Sequence, residues 1–175
     1  SRPPLPLLRD EQVVEAVTPA EQDRLTARYT EAALEFIRDA RSRPFFLYLA
    51  HTAVHVPIHP GGAFRGKSAG GPYGDWVEEV DWSVGRLLGT LGELGLAQRT
   101  LVVFSSDNGG PQPGKVTTNG LFRAGKGTLY EGGVRVCAFA TWDGHIKAGT
   151  TVTQPFHIVD WYPTLLRLAG VSLKQ

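Results

Sequence analysis

The stretch TLVVFSSDNGG, residues 100–110, decides how the rest of the chain is read. Leu101-Val102-Val103-Phe104 is a short, unbroken apolar run, the pattern of a strand buried on both faces. It passes directly into Ser105-Ser106-Asp107-Asn108-Gly109-Gly110, which is polar and turn-forming throughout. In open α/β sheets, ligands gather where such strands end. Asp107 and Asn108 would offer a carboxylate and an amide oxygen there, two donors suited to a hard cation such as Ca²⁺ or Mg²⁺. Asn-Gly is also a strong turn signal that needs no metal, and these residues taken alone favour a plain turn.

Working outward, Val77, Val80, Val84, Leu87, Leu88, Leu91 and Leu94 form an apolar stripe at helical spacing, predicting a helix over 75–95 that stops at Gly95. Glu78, Glu79 and Asp81 fall beside that stripe and read as its solvated face. Thr18-Pro19-Ala20-Glu21 is a capping box with proline at the first helical position, and Leu25, Tyr29, Ala32, Ala33, Phe36 and Ile37 extend a helix over 19–40. Phe45-Phe46-Leu47-Tyr48-Leu49 reads as a further buried strand, as does 134–142, and 160–169 as a helix closed by Gly170. Helices alternating with apolar strands imply an α/β sheet covered on both faces. The loops 57–73 and 109–125 are long and rich in Gly and Pro, which marks them as candidate functional loops.

The 175 residues, 42% of them hydrophobic, suffice for one sizeable core, and 18 basic against 17 acidic residues leave almost no net charge. That balance argues against a nucleic-acid or anionic-membrane partner held by bulk electrostatics, since such partners need a concentrated basic surface. No apolar run approaches membrane-spanning length, and SRPPLPLLRDEQ carries no targeting signal. A chain with no Met that opens Ser-Arg-Pro-Pro reads as a fragment. Its one cysteine, Cys137, cannot form an internal disulfide and reads as a small buried hydrophobe of the 134–142 strand, without a catalytic role.

His51, His55 and His59 lie four apart, which on a helix would suggest a zinc site. Pro57 removes the helix, and no Glu follows His51 or His55 as H-E-x-x-H requires. His51, His59, His145 and His157 read as ordinary loop residues. GLFRAGKGT, residues 120–128, comes within one residue of the Walker A pattern. Gly127 stands where that pattern needs a hydroxyl, Thr128 arrives one place late, and the lead-in PQPGKVTTNG is polar where a P-loop follows an apolar strand. Lys126 therefore needs a different anion.

Taken in order, PFFLYLAHTAVHVP, PYGDWVEEVDWSVGRLL, TLVVFSSDNGG, RAGKGTLYEGGVRV and HIVDWYPTLLRLAG resemble successive segments of the sulfatase family, the arylsulfatase-like branch of the alkaline phosphatase superfamily. The likeness runs from about residue 21 to the end. It implies part of an alkaline-phosphatase-like sandwich, a mixed, mostly parallel sheet flanked by helices. It also implies that Asp107 and Asn108 bind Ca²⁺, with Mg²⁺ as the alternative, which reverses the preference for a plain turn. His55, two residues before Pro57, matches the family's active-site histidine, and Lys126 matches its sulfate-contacting lysine; both would be catalytic and substrate-binding.

The chemistry suits those residue types. A sulfate ester carries its charge on non-bridging oxygens, which a cation and a lysine can clamp, and a histidine can protonate the departing alcohol or phenol. The family's nucleophile lies in an N-terminal C-x-P-S-R segment whose Cys becomes formylglycine. Cys137-Ala-Phe-Ala-Thr does not match it. The resemblance thus reads residues 1–175 as the middle to C-terminal part of a catalytic domain, without the nucleophile-bearing half or the smaller C-terminal subdomain. The expected substrate is a small-molecule or carbohydrate sulfate ester. Two other readings stay open: a phosphoryl-transfer relative on the same fold, and a non-catalytic, sulfate-binding remnant. Family analogy offers periplasmic, secreted or lysosomal locations and selects none.

Overall fold

Thr18 opens the helical layer. In the computed structural model, which describes residues 4–112 and 116–172, the Glu21 carboxylate accepts the Thr18 N–H at 3.0 Å and its hydroxyl at 2.7 Å. The first turn, Pro19–Arg24, is a 3-10 helix, and α1 follows as Leu25–Ala40. Helix α2 spans Gly71–Glu93, beginning a turn earlier than the sequence predicts because Pro72 fits its first turn. Gly95 ends the region at φ 66°, letting the Leu96 N–H reach back to the Leu91 carbonyl at 2.8 Å.

The two helices pack together, but not through the whole apolar stripe expected of α2. Ile37, Leu91 and Leu96 form the buried core, with Phe45, Leu47, Leu87, Leu94 and Val102 against it. Val77 and Leu88 stay exposed. Polar side chains occupy much of the buried seam: the Thr30 and Ser83 hydroxyls meet at 2.6 Å, Thr30 donates to the Thr26 carbonyl at 2.7 Å, and Trp76 Nε1 donates to Thr26 Oγ1 at 3.2 Å. Every one of these groups is partnered within the seam, so burying them carries no unmet hydrogen bond.

Glu79 corrects the expectation of a solvated acidic face. Glu78 and Asp81 are exposed, but Glu79 is 1% exposed and accepts the Gly61 N–H at 2.7 Å. One turn earlier on α2, buried Asp75 accepts three successive N–H groups, from Gly66, Lys67 and Ser68, at 2.8, 3.1 and 2.8 Å. The two carboxylates pin the Gly-rich loop that follows His59 onto α2. Burial raises the Glu79 carboxyl above its ordinary value, opposed by the Gly61 bond and reinforced by the negative charge of Asp23. A raised acid binds its proton more tightly in the folded state, so its stabilising share is present at low pH and is lost as pH rises through the folded value. Glu79→Gln, which keeps an acceptor for Gly61, should abolish the fall in melting temperature above about pH 4.3 attributable to this group. Melts over a pH series read the difference.

The strands depart furthest from expectation. An antiparallel hairpin that the sequence pattern does not announce comes first, β1 Leu5–Arg9 and β2 Gln12–Val17, turning at Asp10 with φ 54°. Segment 45–49 is extended but makes no ladder among the described residues; Phe45 and Leu47 face the core, while Phe46 and Tyr48 are 73% and 81% exposed. The expected 134–142 strand is shorter: Val134 closes a single helical turn, α3 Glu131–Val134, and the strand, β4, is Ala138–Thr141. β3, Val102–Ser105, pairs with β4 antiparallel, Val103 opposite Ala140. The described ladders are thus both antiparallel, and the mostly parallel sheet is not among them. Cys137, expected in a buried strand, is exposed just ahead of β4, whose residues are themselves exposed. Helix α4 is Trp161–Leu168, with Gly170 at φ 78° ending it as expected.

Candidate active site

The turn after β3 is fixed by its own polar groups and by the strand beside it. Ser106 N–H donates to the Cys137 carbonyl at 3.2 Å, its hydroxyl to the Asn108 carbonyl at 3.0 Å, and Asn108 Nδ2 to the Gly109 carbonyl at 3.0 Å. With its amide nitrogen so engaged, Asn108 retains its side-chain oxygen as a donor to a cation. The Asp107 carboxylate is exposed beside it. The chain bends at Asp107–Asn108, and that bend is compatible with presenting two oxygens.

The loop carrying Lys126 is sewn onto this turn. Lys126 N–H donates to the Gly110 carbonyl at 3.2 Å, and Gly109 N–H to the Gly133 carbonyl at 3.0 Å. Between them the backbones run so close that side chains have no room: a methyl on Gly109 would overlap the Gly132 carbonyl, one on Gly132 the Ala124 carbonyl, and one on Gly125 the Gly110 carbonyl. Gly109, Gly125, Gly132 and Gly133 are thus one interlocking set, while Gly127 stands in open space at φ 88°. At the mouth of the loop the Arg123 guanidinium stacks 3.8 Å from the Tyr130 ring centroid, a cation–π contact. Lys126 itself is exposed, its ammonium projecting from a rigid base.

This arrangement answers the Walker question. Thr128 N–H and hydroxyl both donate to the Gly125 carbonyl, at 3.1 and 2.8 Å, so the late hydroxyl closes the turn. The next element, α3, is a single helical turn entered from a loop rather than a strand, so no row of N–H groups is aimed at a phosphate chain.

His55 lies on a separate loop and is exposed. Its Nδ1 meets the Val56 carbonyl at 2.7 Å. A carbonyl only accepts, so Nδ1 carries a proton and Nε2 is the nitrogen free to exchange one. None of the hydrogen bonds among the described residues joins His55 to Asp107, Asn108 or Lys126. His59 packs edge-on to Trp76 at 6.5 Å, a structural role. His51 proves more than a loop residue: Nε2 meets Ser83 Oγ at 3.3 Å, Nδ1 is buried without a partner, and burial lowers its pKa. No local pattern around His51 announces this, because its burial depends on α2.

Among the described residues no three His, Cys, Asp or Glu side chains converge to hold a metal. Asp107 and Asn108 are two hard oxygen donors, a fitting but partial set for Ca²⁺, which takes about six to eight.

The sequence model described as Sulfatase matches residues 6–171. The chain belongs to the sulfatase family. Mouse steryl-sulfatase is 43% identical over 98% of this chain, and mouse N-acetylgalactosamine-6-sulfatase 46% identical over 85%. Human arylsulfatase A is 43% identical over 97%. The chain spans 28%, 29% and 34% of those three proteins. Among solved structures, the PsFucS1 sulfatase from Pseudoalteromonas sp. superposes with a TM-score of 0.87 at 32% identity, covering 91% of this chain and 33% of its own. Ps i-CgsB in complex with neocarrahexaose gives 0.86 at 33% identity, covering 97% and 38%. Sulfatases are hydrolases of sulfate esters, and this chain shares the fold of the part of those solved sulfatases that it covers. No helix among the described residues is long and apolar enough to cross a membrane.

Proposed function

We propose that this chain is the middle to C-terminal section of a sulfuric ester hydrolase and supplies its cation-binding pair, its sulfate-contacting lysine and its general acid. The reading is supported above all by one observation, the direct hydrogen bond from Lys126 N–H to Gly110, two residues from Asn108. An ammonium and two hard oxygen donors thereby belong to one rigid unit, as recognition of a small dianion or monoanion beside a cation requires. Exposed Phe46, Tyr48, Leu121 and Leu129 are the kind of surface that further layers of a larger α/β sandwich would cover, including the parallel strands proposed for it.

Asp107 and Asn108 would hold Ca²⁺ or Mg²⁺, which when bound neutralises charge on the non-bridging sulfate oxygens. Lys126 binds the same anion from the side and orients the ester oxygen. His55 donates the Nε2 proton to the departing alcohol or phenol, while the Nδ1 bond to Val56 keeps the ring turned for that transfer. No residue of this chain fits the formylglycine role, since Cys137, the one cysteine, precedes β4 in no matching motif. By analogy with the neocarrahexaose-bound neighbour, a carbohydrate sulfate is the favoured substrate class.

The test is turnover. The isolated chain should release no sulfate from an aryl sulfate over many equivalents, because clamps without a nucleophile do not complete the displacement. The full-length protein that carries it should. Multiple turnover by the isolated chain would contradict the proposed division of residues.

A further inference from the structure

Asn119 has no charge and no obvious chemistry, yet its amide oxygen and amide nitrogen together bind the backbones of both site segments. Its Oδ1 accepts the Gly110 N–H at 2.9 Å, and its Nδ2 donates to the Gly110 carbonyl and the Ala124 carbonyl, each at 2.9 Å. The Gly110 carbonyl is the same oxygen that accepts the Lys126 N–H. Ala124 stands two residues before Lys126 with φ 60°, a left-handed conformation that an alanine holds only where its surroundings enforce it. Asn119 is one of those enforcing contacts. The bond set is specific to a primary amide: one edge must accept from an N–H while the other donates twice to carbonyls.

We propose that Asn119 is a positioning residue that clamps the Lys126 loop onto the Asp107–Gly110 turn, so that the lysine and the cation-binding pair act on one anion. The inference rests on the sulfatase reading for its consequence in catalysis, but the clamp itself is a matter of backbone geometry. It acts through Lys126 and touches no substrate.

The test uses the full-length protein, with p-nitrophenyl sulfate as substrate and amide hydrogen exchange as a second readout. Asn119→Ala should lower kcat/KM by about 10–100-fold, the scale for removing a partner that orients an active-site group. In a Lys126→Ala background the same change should cost less than about twofold, because the group it positions is already gone. Asn119→Asp, nearly the same size, keeps the acceptor for Gly110 N–H but faces both carbonyls with a carboxylate, and should be as damaging as alanine. Exchange at Lys126 should quicken in both variants while α1 and α2 keep their protection. Full activity in Asn119→Asp would show that the side chain only fills space, and an undiminished loss in the Lys126→Ala background would show that it acts generally on stability; either result overturns the proposal. If the wild-type protein proves inactive on sulfate esters, the functional reading fails, and the exchange rate at Lys126 alone then upholds or overturns the clamp.

Discussion

Lys126→Ala is expected to cut kcat/KM for sulfate-ester hydrolysis by about 10²–10³-fold in the full-length protein, the scale for deleting one preorganised electrostatic contact. Fold and metal content should survive, because the loop is held by backbone bonds to Gly110 and Gly133 and by side chains other than the lysine's own. Lys126 is exposed, so its truncation leaves no buried cavity. Lys126→Arg should recover only part of the loss, since a planar fork cannot sit as a compact ammonium does. ATP supplies the control. The wild-type protein should bind none, and Gly127→Ser should create no such binding, because Thr128 already closes the turn and α3 is too short to present a helix N-terminus. Mg-ATP binding abolished by Lys126→Ala, with sulfate hydrolysis untouched, would return the loop to the Walker class.

The second large effect concerns the cation. Asp107→Ala removes the one charged donor this chain contributes to the proposed site and should weaken Ca²⁺ binding by more than the roughly 10–100-fold that outer partners of a metal typically cost. Activity should fall in parallel and return in part at high Ca²⁺. Asn108→Ala should do the same more mildly, since it removes a neutral oxygen. Calcium titration and turnover on the same preparations read both. Unchanged metal content in Asp107→Ala would leave 105–110 as a turn and nothing more.

How far the sequence could be read depended on whether a feature was local. Helices α1, α2 and α4 were legible because stripe, cap and stop signals sit within each segment, and β3 because its apolar run ends abruptly at Ser105. The outward face of 45–49 was not legible: whether Phe46 and Tyr48 are buried depends on a neighbouring strand, and no property of the pentapeptide supplies one. Glu79 shows the same limit in reverse. It shares the Trp76 and Ser83 side of α2, and that side is buried by α1 and by the Gly61 loop, neither of which its own neighbours foretell. The site divided along the same line. Asp107, Asn108, His55 and Lys126 stood out through ordered resemblance to a family. Asn119 did not, because the three bonds that give it a role lie five and nine residues away along the chain.

The most direct measurement compares two esters that share a leaving group. The full-length protein should be assayed for p-nitrophenol release from p-nitrophenyl sulfate and from p-nitrophenyl phosphate, with wild type and Lys126→Ala side by side. If residues 1–175 belong to a working sulfatase, kcat/KM for the sulfate exceeds that for the phosphate, and the lysine variant loses it. Faster hydrolysis of the phosphate, or sulfate turnover indifferent to Lys126, would contradict the account.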